Sequence, residues 1–524
     1  MAIPRSNIDR IKVQNFKFFH EPVKFELNGK NLLLYGENGS GKSSLYWALY
    51  TLLECANKED DVEIKKYFDP IDDQRLTNLF FTHGDPNWID SEIALELLDG
   101  TPLKVSFNDV TIKSNDDAQS ANYATEFLNY KMLFRLHNFA HSDNINVFEY
   151  FEREVLPYVK FAPVKYWKKK ADGTADQEKE TENANQIWNF VLNGPTKTSL
   201  TIDGAPRYPL HSEQGFRDYR NIVNGFKREL EDLLTFINTE GNPILQNELK
   251  YNFTFKLEFE ETEPLKLTKS KFDRPNFSIK LTIPLFNGKA GVLRPHTFLN
   301  EARLSALGLA IRFAILKKRL QESKLKMAIL DDFMISLDMR NRDVALDYVL
   351  DKISPNYQLL ILSHDRFFYE LAKDKIQRKN QVNWKYYQMY EDNDTPPTKL
   401  FPAIIKDDGK VNKALALFKQ KDFGLAANMV RQAAEKFCKA YLTAQEQLGG
   451  DYKPMKLDGW ITKAISKGTT AGLDASMLQD LMDYKDRIMN PNSHYDIETP
   501  LFSNELDKAI KNMEKLAIAT GISL

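Results

Sequence analysis

Five side chains in this 524-residue chain have the chemistry to handle a phosphate anhydride: Lys42, Ser43, Asp331, Asp332 and His364. A lysine ammonium can reach a terminal phosphate, and a hydroxyl beside a carboxylate can hold Mg²⁺. A second carboxylate can orient or deprotonate an attacking water. Lys42 and Ser43 lie in Gly36-Glu-Asn-Gly-Ser-Gly-Lys-Ser-Ser44, which satisfies G-x-x-x-x-G-K-[ST] in full. Gly36, Gly39 and Gly41 allow a tight turn whose amide N–H groups point inward. Glu37, Asn38, Ser40 and Ser44 complete the loop, so all of Gly36 to Ser44 are candidate nucleotide contacts. Asp331 and Ser43 are the candidate metal ligands, Asp332 the candidate base, and His364 a candidate contact to the outermost phosphate. The loop by itself fits ATP and GTP alike.

These residues need strands and helices to hold them. Leu32 to Tyr35 is an apolar run, and Leu45, Leu49, Leu52 and Leu53 follow at helical spacing, so the loop reads as strand, turn and helix. Met327-Ala-Ile-Leu-Asp-Asp332 and Gln358-Leu-Leu-Ile-Leu-Ser-His364 are apolar strands with their polar chemistry at the C-terminal end. Residues 8–27 and 91–107 alternate in the manner of hairpins, and Asn28-Gly29 turns the chain into the loop strand. Phe298 to Ala314 reads as a capped, buried helix with Asn300 or Glu301 at its start.

Between about Asp116 and Gly241 the periodicity is helical, with Phe127, Tyr130 and Phe134 and then Phe216, Tyr219, Val223, Phe226, Leu230, Leu233 and Ile237 at steps of three and four. These segments read as short and interrupted, too short for a long coiled coil. Lys168 to Asn183 lacks any apolar period and reads as an exposed loop. Tyr251–Phe259 and Phe277–Ile283 return to strand alternation, the stretch after Tyr390 reads as a linker, and the remainder from about Lys410 is helical.

A net charge of −2 and a mean hydropathy of −0.47 recruit neither nucleic acid nor an anionic membrane globally, so a nucleic-acid partner would need a local patch. Two distant cysteines, Cys55 and Cys438, argue against disulfides and a zinc site. No run of about 18 apolar residues occurs and the N-terminus has no signal-like core, so the expectation is a cytoplasmic protein without a membrane partner.

The succession GENGSGKSS, LNEAR, ILDD, SLD and LSHD resembles the ABC-type ATPase head of the SMC/RecF superfamily over residues 8 to about 390. The resemblance implies an α/β fold, a P-loop NTPase head with a helical insertion, followed by a C-terminal all-α domain. The implied plan is an ATPase lobe at 1–115, the insertion at 116–245, a second lobe at 246–390, a linker at 391–409 and the α domain at 410–524. It also implies ATP and Mg²⁺ as cofactors and a homodimer or higher oligomer. Leu299 to Arg303 would stand in for the signature sequence, with Asn300 at its Ser position and Glu301 and Ala302 in place of glycines. Asn300, Glu301 and Arg303 would then contact the nucleotide held by a second copy, Asp338 is a further implied nucleotide contact, and Asp332 stands where many such ATPases carry Glu.

Within that superfamily the chain resembles the standalone ATPases of bacterial anti-phage systems, such as the Septu and PARIS subunits, which implies a sensor that controls a separate effector encoded nearby. Arg487 and His494 fit the R-x₄₋₆-H spacing of HEPN ribonuclease-like domains. An Arg can stabilise a developing phosphorane while a His shuttles a proton. The pair is open to two readings, a ribonuclease centre or a domain that serves dimerisation or docking. An ATP-regulated ribonuclease and a RecF-like DNA repair ATPase are the alternative functions.

Overall fold

The computed structural model describes every residue except 1–5, 81–90, 136–144, 264, 293–297, 320–321, 380, 392–401, 407–408, 471–473, 490–502 and 523. By contacts the chain divides into two units, one of residues 1–366 and 389–403, the other of 367–388 and 404–524.

In the first unit β1 (Ile8–Gln14) pairs antiparallel with β2 (Val23–Glu26), and the chain then enters β3 (Asn31–Gly36) and the helix α1 (Lys42–Cys55). β4 (Glu92–Leu97) and β5 (Pro102–Ser106) complete an antiparallel sheet in the order β2-β1-β4-β5, as the alternation of these segments predicts. After α2 (Asp116–Ala124) comes a short strand, β6 (Glu126–Asn129).

β3 and β6 join two later strands, β11 (Met327–Asp331) and β12 (Gln358–Ser363), in parallel register: Leu34 lies beside Leu362, Ile361 beside Leu330, and Leu330 beside Leu128. All residues of β3, β11 and β12 are buried, which is why the sequence shows unbroken apolar runs there. Gln358 fastens the two sheets. Its side chain accepts from Ile8 N at 2.7 Å and donates to Lys30 O at 2.7 Å.

The stretch expected to be helical is mixed. β6 belongs to the parallel sheet, and its four residues are too few, and too interrupted by Glu126 and Asn129, to show a period. The expected loop at 168–183 is instead the end of an antiparallel ribbon, β7 (Lys160–Lys169) and β8 (Ala175–Asn183), turned at Asp172-Gly173 with φ of 84° at the glycine. Most of its side chains face solvent, so it carries no apolar alternation; Lys160–Glu182 and the Lys165/Glu180 register supply cross-strand charge pairing instead. The Lys169 ammonium caps α3 (Ala184–Asn193) by donating to the carbonyls of Asn193, Gly194 and Pro195. Burial, with Lys197 nearby, pulls the Lys169 ammonium down to about 8.

The segment read as interrupted is one 30-residue helix, α4 (Gln214–Pro243), whose apolar side packs on β9 (Phe253–Glu263) of the antiparallel pair β9 and β10 (Asn276–Phe286). Phe226, Trp188 and Phe277 form a three-ring cluster, with Phe226 stacked on the other two at 5.3 and 6.2 Å.

The helix α5 (Glu301–Lys318) is buried without interruption from Leu304 to Leu316. It carries Arg312 into the interior. Glu126 on β6 holds Arg312 and Arg319 together, with Arg319 Nη2 at 2.7 Å and Arg312 Nε at 2.6 Å, all three side chains at most 1% exposed. Carbonyls of Glu154 and Phe127 take the remaining N–H groups of Arg312. The cluster ties the helix that begins at Asn300 to the strand beside Asp331.

The second unit holds α7 (Gly409–Lys419), α8 (Phe423–Tyr441), α9 (Leu457–Thr470), α10 (Ala475–Tyr484) and α11 (Ser503–Thr520), packed around Ala426, Val430, Ala434, Phe437, Ile461 and Ile510. In the expected linker, Pro402–Lys406 is a strand and 392–401 and 407–408 lie outside the described residues.

Candidate functional site

The phosphate loop leaves β3 at Gly36 and enters α1 at Lys42, with Gly39 and Gly41 at φ of 88° and 97°. A side chain at Gly41 would also collide with Phe18, which lies 2.6 Å from where its Cβ would stand. The first turn of α1 has no side-chain cap, so its N–H groups face the loop unclaimed by a cap. Glu37, Asn38 and Gly39 are exposed, while Ser40 is buried with its hydroxyl unpaired. Ser44 Oγ accepts from Phe18 N at 3.3 Å.

Lys42 folds back into the loop and donates to Gly36 O at 2.6 Å and Glu37 O at 3.1 Å. Burial lowers its pKa, while Asp332 and Asp331 act to raise it. An arriving phosphate would exchange those carbonyls for an anion, a stronger partner for the ammonium.

The structure brings Ser43, Asp331, Asp332 and His364 to the C-terminal ends of β11 and β12 beside this loop. Ser43 Oγ lies 3.4 Å from Asp331 Oδ2. Asp331 Oδ1 is buried without a partner, and that orphan oxygen beside a serine hydroxyl fits one edge of a Mg²⁺ site whose other ligands are waters and phosphate. When bound, Mg²⁺ would neutralise phosphate charge there. Among the described residues no group of three or more His, Cys, Asp and Glu converges to hold a metal by itself.

Burial, reinforced by Asp332, pushes the Asp331 carboxyl up to about 7. A raised carboxyl pKa means the folded protein keeps a proton that the unfolded chain loses. This group's contribution to stability is therefore complete below pH ~4 and declines as pH climbs towards 7. Asp331→Asn should raise the melting temperature of the nucleotide-free protein at pH 8 by several degrees and leave it nearly unchanged at pH 4. A pH-independent difference between the two proteins in thermal melts would refute the buried-acid account.

Asp332 adopts the left-handed region with φ of 49°, a conformation that costs roughly 1–3 kcal/mol and collects at functional sites. Its backbone N–H donates to Leu362 O at 3.0 Å and its Oδ1 accepts from His364 N at 2.9 Å, which fixes the carboxylate. His364 Nδ1 lies 2.8 Å from Oδ2 without a well-aligned hydrogen bond.

The other expected contacts form a second group. Asn300 caps α5 by accepting from Arg303 N at 3.1 Å, and Asn300 and Glu301 are exposed. Arg303 donates to Phe298 O and lies over the Phe286 ring at 5.2 Å. Asp338 caps α6 (Met339–Tyr348) through Asn341 N at 2.9 Å. Burial raises the Tyr251 hydroxyl to about 12, with Asp338 raising and Arg303 lowering it, which places both charges near one ring. Ser305 and Ser336 touch at 2.5 Å. Among the described residues no hydrogen bond joins Asn300, Glu301, Arg303 or Asp338 to the phosphate loop.

Arg342 escaped the sequence reading. It donates to Leu337 O and Ile335 O and pairs with Asp365 at 2.5 Å, pinning the chain after Asp332 to the residue after His364. Its only signal is a position four residues beyond Asp338. In the second unit Arg487 pairs with Glu505 at 3.1 Å and is mostly exposed; His494 lies outside the described residues.

The family profile for the P-loop containing region of AAA domains matches residues 8–60. The chain carries a P-loop nucleotide site. No curated protein matches the sequence significantly. Three solved SMC heads are similar at low scores. One, bound to the C-winged helix domain of ScpA, has 12% identity and a TM-score of 0.38, covering 76% of this chain and 98% of that one. The Pyrococcus furiosus head with an extended coiled coil, bound to the C-terminal domain of ScpA, has 11% identity and a TM-score of 0.37, covering 80% and 100%. The Thermotoga maritima head has 13% and 0.32, covering 77% and 98%. Likeness this distant decides nothing about activity or partner. No helix among the described residues is long and apolar enough to cross a membrane.

Proposed function

We propose that this chain is an Mg·ATP-dependent ATPase of the ABC/SMC type. The observation that carries the reading is the convergence of Lys42, Ser43, Asp331, Asp332 and His364 at one end of the parallel sheet, with an orphan carboxylate oxygen where the ion belongs. In this reading Lys42 and the loop N–H groups hold the β- and γ-phosphates. Asp332, oriented by His364 N–H, accepts the proton of the attacking water.

The exposed group at Asn300, Glu301, Arg303 and Asp338 then serves the nucleotide of a second copy, so two chains close head to head around ATP. Such closure is the step by which the protein would sense a cue and hold or release a separate effector in a bacterial anti-phage system; the sequence resemblance supports that placement. A neutral chain with no charge excess does not favour duplex DNA as the resident partner. No observation favours a second, ribonucleolytic reading, since the Arg487 guanidinium is engaged by Glu505.

Phosphate release by the purified chain tests the activity. Wild type should hydrolyse ATP only with Mg²⁺, and Lys42→Ala should remove at least about 90% of that rate, a loss of ~1.4 kcal/mol or more in transition-state stabilisation. Unchanged hydrolysis in Lys42→Ala would sink the reading.

A further inference from the structure

An open pocket of about 630 Å³ lies at the far end of α1, bounded by its last turns, α2, the base of the β7/β8 ribbon and the start of α3. Its lining mixes charged side chains with carboxamides. Asn122 borders it, is only 5% exposed, and its side chain makes no hydrogen bond to any described residue. Asn57 Nδ2, also in the lining, is buried and unpaired. A buried amide N–H without a partner is costly unless something supplies an acceptor. Gln119 has spent its Nε2 on Lys113 O at 2.7 Å, so it adds an acceptor to the same lining.

We propose that this pocket binds a nucleoside and reads its base through these carboxamides. A side-chain amide offers a donor and an acceptor side by side, the complement of a base edge. The ring of Tyr123 supplies an aromatic wall, with the Lys160 ammonium 5.2 Å over it. Charge argues against a phosphorylated ligand. Four glutamates (Glu54, Glu59, Glu180, Glu182) face three cations (Lys58, Arg153, Lys160), which leaves 3 − 4 = −1. All three cations are already paired, Lys58 with Glu54 at 2.7 Å, Lys160 with Glu182 at 2.9 Å and Arg153 with Glu149 at 2.8 Å. A phosphate would meet no uncommitted cluster of positive charge. The volume lies within the range of small-molecule sites and is ample for a nucleoside.

The helix whose first turn carries Lys42 and Ser43 ends at this pocket through Tyr50 and Glu54, so a ligand here touches the element that presents the phosphate loop. The inference stands apart from ATP hydrolysis. Calorimetric titration of the full chain carrying Lys42→Ala against adenosine, guanosine, cytidine, uridine and ribose tests it. At least one nucleoside should bind with a dissociation constant below about 1 mM, and ribose should not bind. Asn122→Leu, close in size, should weaken that nucleoside at least tenfold without lowering the melting temperature. Gln119→Leu should weaken it in the same sense, which keeps the test decisive if Asn122→Leu folds poorly. Failure of all four nucleosides to bind, binding of ribose as tight as that of the nucleoside, or unchanged affinity in both variants would overturn the proposal.

Discussion

Asp332→Asn is expected to lower ATP turnover by about 10²–10⁴-fold while leaving nucleotide binding intact. The amide keeps the oxygen that accepts from His364 N, so the left-handed turn at 332 should survive the change. What it removes is the proton acceptor. Lys42, Ser43 and Asp331, the proposed contacts to the phosphates and the ion, are untouched. The variant should therefore retain radiolabelled ATP through gel filtration where wild type elutes with ADP. Wild-type turnover in Asp332→Asn would mean that water is activated by another group; loss of ATP binding would give the residue a structural role instead.

Glu126→Ala should be among the most destabilising single changes in the first unit. Arg312 and Arg319 are each about 1% exposed, and the Glu126 carboxylate forms a salt bridge with both. Breaking a buried ion cluster by removing one partner costs about 3–5 kcal/mol, because the remaining charges stay desolvated. For a unit of this size that corresponds to a fall of about 4–6 °C in its melting transition. Glu126→Gln, which keeps the acceptor oxygen but not the charge, should fall between. A shift below about 2 °C in Glu126→Ala would show that water or local rearrangement compensates the arginines.

Much of the catalytic end of the sheet could be read from residue order. β3, β11 and β12 are buried on both faces, so each appears in the sequence as an unbroken apolar run with its polar chemistry at the end. Asn300 was legible for a similar reason, because a cap residue before an apolar helix is a local signal. β6 was hidden because four residues cannot display a period, and its key residue, Glu126, looks like a surface glutamate until Arg312 and Arg319 arrive from 186 and 193 residues away. The β7/β8 ribbon was hidden for the opposite reason: with both faces wet, its strands have no apolar side to alternate. Arg342 and Tyr251 could not be singled out by type or spacing, since their neighbours come together only through the turn that follows Asp332.

In the proposed composite site Asn300, Glu301, Arg303 and Asp338 serve the nucleotide of a second copy, so a single chain would hold ATP and two would be needed to consume it. The direct measurement is ATP hydrolysis per chain across a wide range of protein concentration, with the oligomeric state followed by light scattering. The composite-site account predicts that the rate per chain rises with concentration and levels off as an ATP-dependent dimer forms. A constant rate per chain from a species that remains monomeric throughout would contradict it.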